Sequence, residues 1–417
     1  MVENSLSIYM GTSKKLILDM IEKELNRKQR LLIFHPALAP YRIDQFNLLN
    51  ELFDFKVVFL MENLLNFNMD QQKLREVCQF EFSFLLKGML FKRRLFRFGM
   101  LREIKKTNPD IIMGFEYSLT TQYLLLLKKA GIISAEIGSF IDDSPDICKN
   151  VQSKVRKWIR KRSVKKLDFM VVMSREVAHF YINNFSLNEK NVLISPILQL
   201  PERLREDSMT IERYANKYME EYQLIGKKII LFVGRLVPEK ALSLFIEIIA
   251  PYLQSNANVR FILVGDGSEE ERLKTIVKEN SLESKILLVG KYQAKELYGW
   301  YACASGFVLP SVSETFGAVV NEALIFGLKV FCSSNAGASS LINYKNGILF
   351  NPLDRADTYD KFQQYIKDLK PVENISLDNS PPLIEDYRPF FRDEWKKLFH
   401  SETIMPISIA SIYEKQL

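Results

Sequence analysis

Residues 227–234, KKIILFVG, run into 235–240, RLVPEK, and then into 241–253, ALSLFIEIIAPYL, which has helical periodicity. A strand with one wet face alternates apolar and polar residues, whereas this one is apolar almost throughout, as in a parallel sheet covered on both faces. Similar runs recur at 259–265 (VRFILVG), 285–291 (KILLVGK), 305–311 (SGFVLPS) and 328–334 (LKVFCSS). Helical patterns separate them. An earlier series contains 30–36 (RLLIFHP), 55–61 (FKVVFLM), 110–116 (DIIMGFE) and 168–174 (DFMVVMS). Strands alternating with helices in two series predict an α/β protein of two doubly wound, Rossmann-like domains facing a cleft. The expected boundaries are 1–195 for the first domain, 196–226 for a polar, weakly periodic connection, and 227–385 for the second. Residues 386–417 are expected to form a helical segment able to cross back to the first domain.

Composition agrees with a globular chain of this size: 417 residues, 47% hydrophobic and 12% aromatic. No stretch approaches the roughly 18 uninterrupted apolar residues of a spanning helix, and the N-terminus lacks the apolar core of an export signal. A cytoplasmic protein is expected. Cys78, Cys148, Cys303 and Cys332 are widely separated and show no metal-ligand spacing, so no metal site is predicted. With only His35, His179 and His400, histidine-based catalysis is a poor expectation.

The net charge of +7 is concentrated. Residues 154–166, KVRKWIRKRSVKK, carry basic side chains without an acid, and Val155, Trp158 and Ile159 stand at helical spacing. Residues 91–106, FKRRLFRFGMLREIKK, place Phe91, Leu95, Phe98 and Leu101 three or four apart. Both segments read as basic amphipathic helices. Their apolar stripes either pack on the core or lie on an anionic membrane face, where each basic residue contributes roughly 1 kcal/mol. Nucleic acid is not expected as a partner, because the aromatics follow a packing stripe.

In a parallel sheet, ligands bind beyond the carboxyl ends of the strands. There Gly234 permits a sharp turn, and Arg235 and Lys240 set cations beside the amino end of the helix starting near Ala241, an arrangement suited to a diphosphate. Residues 308–327, VLPSVSETFGAVVNEALIFG, carry Glu314 in a loop and Glu322 on a helix expected from about Thr315 to Phe326. A helical rise over that spacing separates the carboxylates by about 12 Å, the span from a sugar ring to a ribose. Carboxylates accept from vicinal hydroxyls, and the first-turn amides of Phe316, Gly317 and Ala318 would face the diphosphate between them. A capping acid and a solvent-facing Glu are the plainer alternative for isolated carboxylates.

Together FVGRLVPEKAL, FILVGDGSEEERLK, VLPSVSETFGAVVNEAL and NAGASSLINYKNGILF resemble the donor half of retaining GT-B glycosyltransferases of family 4, marked by Glu, seven residues, then Glu. PALAPYRIDQFNLL and NPDIIMGFEYSLTTQYLLLL are similar to family members less specifically. The resemblance implies sugar transfer from a UDP or GDP type donor with retention of configuration and no bound metal or other cofactor. It assigns Arg235 and Lys240 to the leaving diphosphate, Glu314 to the donor sugar and Glu322 to the ribose, with Gly234 and Gly265 in the donor set. Where many members have a histidine, this chain has SFIDDSPD, so Asp142 or Asp143 stands there, Asp142 being the preferred proton acceptor and a turn or capping role the alternative for Asp143.

Two departures are visible. Ser340 replaces an expected Glu, and HPALAPYR, with Ala37 to Ala39, replaces a paired-glycine loop. Tyr41, Arg42, Glu116 and Tyr117 are the acceptor-site candidates. The expected acceptor is a saccharide or a lipid-linked one, in cell-surface polysaccharide or glycolipid synthesis at the inner membrane face. A nucleotide-sugar epimerase and an inactive partner subunit are the competing readings; the histidine count weighs against the first, and retention of the four charged residues against the second.

Overall fold

A computed structural model describes residues 27–63, 69–91, 94–149 and 153–399. The N-terminal stretch before residue 27, residues 400–417 of the terminal segment and the side chain of Phe91 lie outside that description. Two parallel sheets form the body. The first contains β1 (Arg30–His35), β2 (Asp54–Phe59) and β3 (Glu81–Phe84); after a separate hairpin, β4 (Gly88–Phe91) and β5 (Arg94–Arg97), it continues with β6 (Ile111–Phe115), β7 (Glu136–Ile141), β8 (Phe169–Val172) and β9 (Val192–Ile194). Its order is β3-β2-β1-β6-β7-β8-β9. The second contains β10 (Lys228–Val233), β11 (Val259–Val264), β12 (Ile286–Gly290), β13 (Gly306–Leu309), β14 (Lys329–Ser333) and β15 (Gly347–Phe350), ordered β12-β11-β10-β13-β14-β15.

The unbroken apolar runs have the expected cause. Along β1, Leu31 and Ile33 pack with Phe46 and Leu49 of the Ile43–Leu52 helix, while Leu32 and Phe34 pack with Met100, Ile104 and Leu124 on the other face. Side chains alternate in direction, so burial of both parities means both faces are covered. The chain is therefore two doubly wound Rossmann-like units. Strands β3, β7, β9 and β15 were not evident as apolar runs. They are short, or carry polar and glycine positions (EFSF, EIGSFI, VLI, GILF), and pairing with a neighbour rather than their own pattern makes them strands.

Two expectations change. Residues 91–106 are not one helix: 88–97 form the β4–β5 hairpin, and only Met100–Thr107 is helical. Gly99, at φ 95°, starts that helix, and the residues before it alternate as a strand does. The connection is also more ordered than its polarity suggested. Ser208–Glu221 is a helix burying Ile211, Ala215, Tyr218 and Met219, and Tyr218 stacks on Trp300 with ring centroids 4.3 Å apart.

The chain then returns to the first unit. Helix Arg388–Lys396 places Phe391 and Trp395 in that unit's core; Trp395 meets Phe53 edge-on at 6.1 Å, and Ile194 N donates to Glu394 at 2.7 Å. Trp395 is fully buried. Replacing it with Ala is expected to cost about 3–5 kcal/mol of unfolding free energy through the cavity left behind, read from the denaturant midpoint. A change under about 1 kcal/mol would mean the segment adds little to the fold.

Candidate active site

In the second sheet the winding reverses between β10 and β13, so the crevice opens where those strands end. Beyond β10, Pro238–Lys240 forms a turn whose Glu239 carbonyl accepts from Val312 N at 3.0 Å, which joins it to the loop after β13. This contact answers what the basic loop faces. Lys240 and Glu314 form an ion pair, each largely buried, at the mouth of the crevice. Arg235 is exposed beside them. Ala241, at φ 52°, begins helix Leu242–Ser255 without a side-chain cap. Gly265 lies against Gly234; a Cβ on Gly265 would fall 1.9 Å from the Gly234 carbonyl oxygen, so the position serves the close passage of two backbones.

The second helix of the site starts later than expected, at Ala318, and runs to Ile325. Gly317 is its first flanking residue at φ 92°, and Glu314 pairs as an isolated bridge with Ala336. Glu314 is thus in an extended loop, and the helical estimate of its separation from Glu322 does not apply. Phe316 is buried, with its carbonyl accepting from Ala338 N at 2.6 Å. Gly317 and Ala318 stand at the helix start, where no side chain caps the orphan amides. Ser340 bonds back to the Gly337 carbonyl at 3.0 Å, closing its own turn.

Glu322, half-buried, accepts from Gln199 Nε2 and from the Tyr301 hydroxyl, each at 2.8 Å. Burial holds its carboxyl above the usual range, while those two donors pull the other way. Gln199 and Tyr301 had not been singled out. Neither stands in a polar cluster or a spaced motif, so only the packing of the connection and of helix Ala294–Ala302 against Glu322 reveals them.

The first sheet reverses between β1 and β6, and its loops carry the acceptor-side candidates. Arg42 is buried; its guanidinium binds both oxygens of Asp142, at 2.8 and 2.7 Å, and Gln45 at 2.7 Å. Tyr41 packs against the core of the second unit, and the charges acting on its hydroxyl, besides burial, are Arg42, Asp142 and Glu314. Ala37 to Ala39 are fully buried beneath it. Asp143 is almost fully buried and caps no helix; its carboxylate is taken up by side chains around it. It accepts from Arg160 at 2.7 Å, Arg156 at 3.2 Å and the Tyr181 hydroxyl at 2.5 Å, and Tyr117 joins through Tyr181 at 2.8 Å.

That cluster corrects the reading of 154–166. The helix is present over Lys154–Val164, but its buried face is Arg160, Ser163 and Val164, while Val155 and Trp158 are exposed. Ionic pairing with Asp143 draws Arg160 inward beside Val164, while Val155 and Trp158 face out. Among the histidines, His35 sits amid Phe46, Phe59 and Phe115 with burial lowering its pKa to about 3, and His179 is exposed. His400 lies outside the described residues. Among the described residues no group of three or more His, Cys, Asp or Glu side chains could hold a metal ion, and no helix is long and apolar enough to cross a membrane.

Residues 227–368, which hold β10 through β15, match the family model of glycosyl transferases group 1. Over that stretch the chain resembles the group 1 glycosyltransferases. A 2-deoxystreptamine N-acetyl-D-glucosaminyltransferase of Niallia circulans is 27% identical over 40% of this chain and 43% of its own length. The N-acetylgalactosamine-N,N'-diacetylbacillosaminyl-diphospho-undecaprenol 4-alpha-N-acetylgalactosaminyltransferase of Campylobacter jejuni is 27% identical over 46% of this chain and 48% of its own length. The matched stretch thus spans under half of either relative. Among solved structures, Anabaena Alr3699/HepE in complex with UDP and glucose superposes with a TM-score of 0.61 over 93% of this chain and all of that one, at 14% identity. The shared architecture is the two-domain GT-B fold.

Glu116, just beyond β6, has a left-handed backbone (φ 47°) and a carboxylate 3.6 Å from Arg156. Burial raises it to about 7 despite Arg156, with Asp142 and Asp143 adding to the rise. The native state therefore keeps a proton that the unfolded chain has released, and stability present below the ordinary glutamate value of 4.5 is lost as pH rises through about 7. Glu116→Gln should remove this loss. Denaturant midpoints should shift in favour of the variant between pH 4.5 and about 8. A pH-independent difference would reject the assignment.

Proposed function

We propose that the protein transfers a sugar from a UDP or GDP type donor to a saccharide or lipid-linked acceptor with retention of configuration. The observation that carries this reading is the Lys240–Glu314 pair set at the crossover crevice against the uncapped start of the Ala318–Ile325 helix, with Tyr41 of the first unit across from it. In the proposed reaction the bond from the anomeric carbon to the phosphate oxygen breaks and its electron pair leaves with the diphosphate. Arg235, Lys240 and the amides at Gly317 and Ala318 stabilise that charge. The acceptor oxygen bonds to the anomeric carbon from the same face, and its proton passes to the departing phosphate oxygen. Glu314 contacts the donor sugar and Glu322 the ribose. Asp142 holds Arg42 and the Pro40–Arg42 turn with both of its oxygens engaged, which supports the departing phosphate rather than this carboxylate as the destination of the proton.

Release of nucleoside diphosphate from a panel of nucleotide sugars tests the reading. Arg235→Ala and Lys240→Ala are each expected to lower turnover on the order of 100-fold, as for loss of one transition-state donor, and wild-type turnover should persist after exhaustive chelation. Near-normal turnover in both variants, or strict dependence on added manganese or magnesium, would point to a different site.

The acceptor is proposed to be held at the inner face of the membrane. Lys154, Lys157, Lys161, Arg162, Lys165 and Lys166 are exposed around Trp158, which is 62% accessible, and Phe98 stands out near the hairpin. Basic residues with an outward tryptophan suit anionic headgroups. The Campylobacter relative's name gives a diphospho-undecaprenol acceptor, which supports a role in cell-surface glycan synthesis. Arg160, being buried, has no part in this surface. Cosedimentation with anionic vesicles should weaken as salt rises, since screening acts over about 8 Å. It should also fall when Lys154, Lys157, Lys161 and Lys165 become Gln. Equal binding by both proteins, or no preference for anionic vesicles, would favour a soluble saccharide acceptor.

A further inference from the structure

Gln199 lies in the connection between the two units and is almost fully buried, yet its amide is used at both ends. Nε2 donates to Glu322 Oε1 at 2.8 Å, and Oε1 accepts from Arg203 Nη2 at 3.2 Å. Its backbone N donates to Asn321 Oδ1 at 2.8 Å, on the residue before Glu322. The amide can point only one way, because a carboxylate only accepts and a guanidinium only donates. Arg203 in turn donates through Nε to Asp44 Oδ1 at 2.7 Å and through Nη2 to the Pro40 carbonyl at 3.3 Å. Leu200 N takes the other Asp44 oxygen at 2.8 Å.

Resting on the donor-site reading above, we infer that Gln199 is a positioning residue for Glu322 and that Arg203 extends it into a relay joining that carboxylate to the Pro40–Arg42 turn. Asp44 and Arg203 are both withdrawn from water, so neither leaves its partner without a large desolvation penalty. The Tyr301 hydroxyl holds the second Glu322 oxygen. A carboxylate accepts at about four sites, so these two donors leave room for a vicinal diol while fixing the plane in which it is met. The same groups tie the turn bearing Tyr41 and Arg42 to the donor carboxylate, so a displacement of one side is carried to the other.

The test compares binding of UDP and GDP with that of their 2′,3′-dideoxy counterparts, by calorimetry on the full chain. Wild type should prefer the ribonucleotide about tenfold, the size of a hydrogen bond to a charged group. In Gln199→Leu that preference should vanish, affinity for the dideoxy ligand should hold, and the donor KM should rise about tenfold with kcat within about twofold. Should Gln199→Leu not fold, Arg203→Lys carries the test. It keeps a charge against Asp44 but loses the second nitrogen that reaches Gln199, and should show the same selective loss at smaller size. If wild type binds nucleoside diphosphate while the variants are unchanged, or lose both ligands equally, the relay is overturned alone. If wild type binds no nucleoside diphosphate, the donor-site reading falls and the relay falls with it.

Discussion

Parallel pairing is the constraint on which the rest depends. Strands that run the same way must be joined by crossovers, and their carboxyl ends all open at one edge of the sheet. In both units the winding reverses once, between β1 and β6 and between β10 and β13, and the loops on either side of each reversal part to leave a crevice. Lys240, Glu314, Arg42, Asp142 and Glu116 all lie just beyond strand ends or in the loops that follow them. Chemistry-bearing residues far apart in sequence meet because the backbone ladders allow few other arrangements.

The crevice is held by charges that are paired rather than merely exposed. Arg42 with Asp142 and Arg160 with Asp143 are withdrawn from water, and a partner lost from either pair would leave an uncompensated ion. The second pair has a further effect on shape. By anchoring the Lys154–Val164 helix through Arg160, it leaves Trp158 and the lysines outward, so the buried ion pair sets which face this part of the first unit presents.

The connection between the units is more than a tether. The helix Ser208–Glu221 packs its Tyr218 against Trp300 of the second unit, and the helix Arg388–Lys396 returns Trp395 to the first. Between them the Gln199–Arg203 stretch touches Glu322 on one side and Asp44 on the other. Two crossings and a polar contact restrict how the crevice walls move relative to each other, as a site assembled from both units requires.

The sequence alone determined the class of fold, because runs such as KIILFV are apolar on both parities and can be satisfied only inside a covered parallel sheet. It also placed the candidate-site loops: Arg235, Lys240, Glu314 and Gly317 stand at strand ends and helix starts, which are local features. What it left undecided depends on partners distant in the chain. β7 and β15 are strands because a neighbour pairs with them, and residues 88–97 form a hairpin although their stripe also fits a helix. Asp142 pairs with Arg42 and Asp143 with Arg160, 100 and 17 residues away, and nothing local to the two acids announces either partner. Gln199 carried no local signal, since an isolated amide in an apolar stretch acquires meaning only when Glu322, 123 residues on, is folded against it. Backbone periodicity is written in neighbours; ion pairs and buried hydrogen bonds are decided by which elements come together.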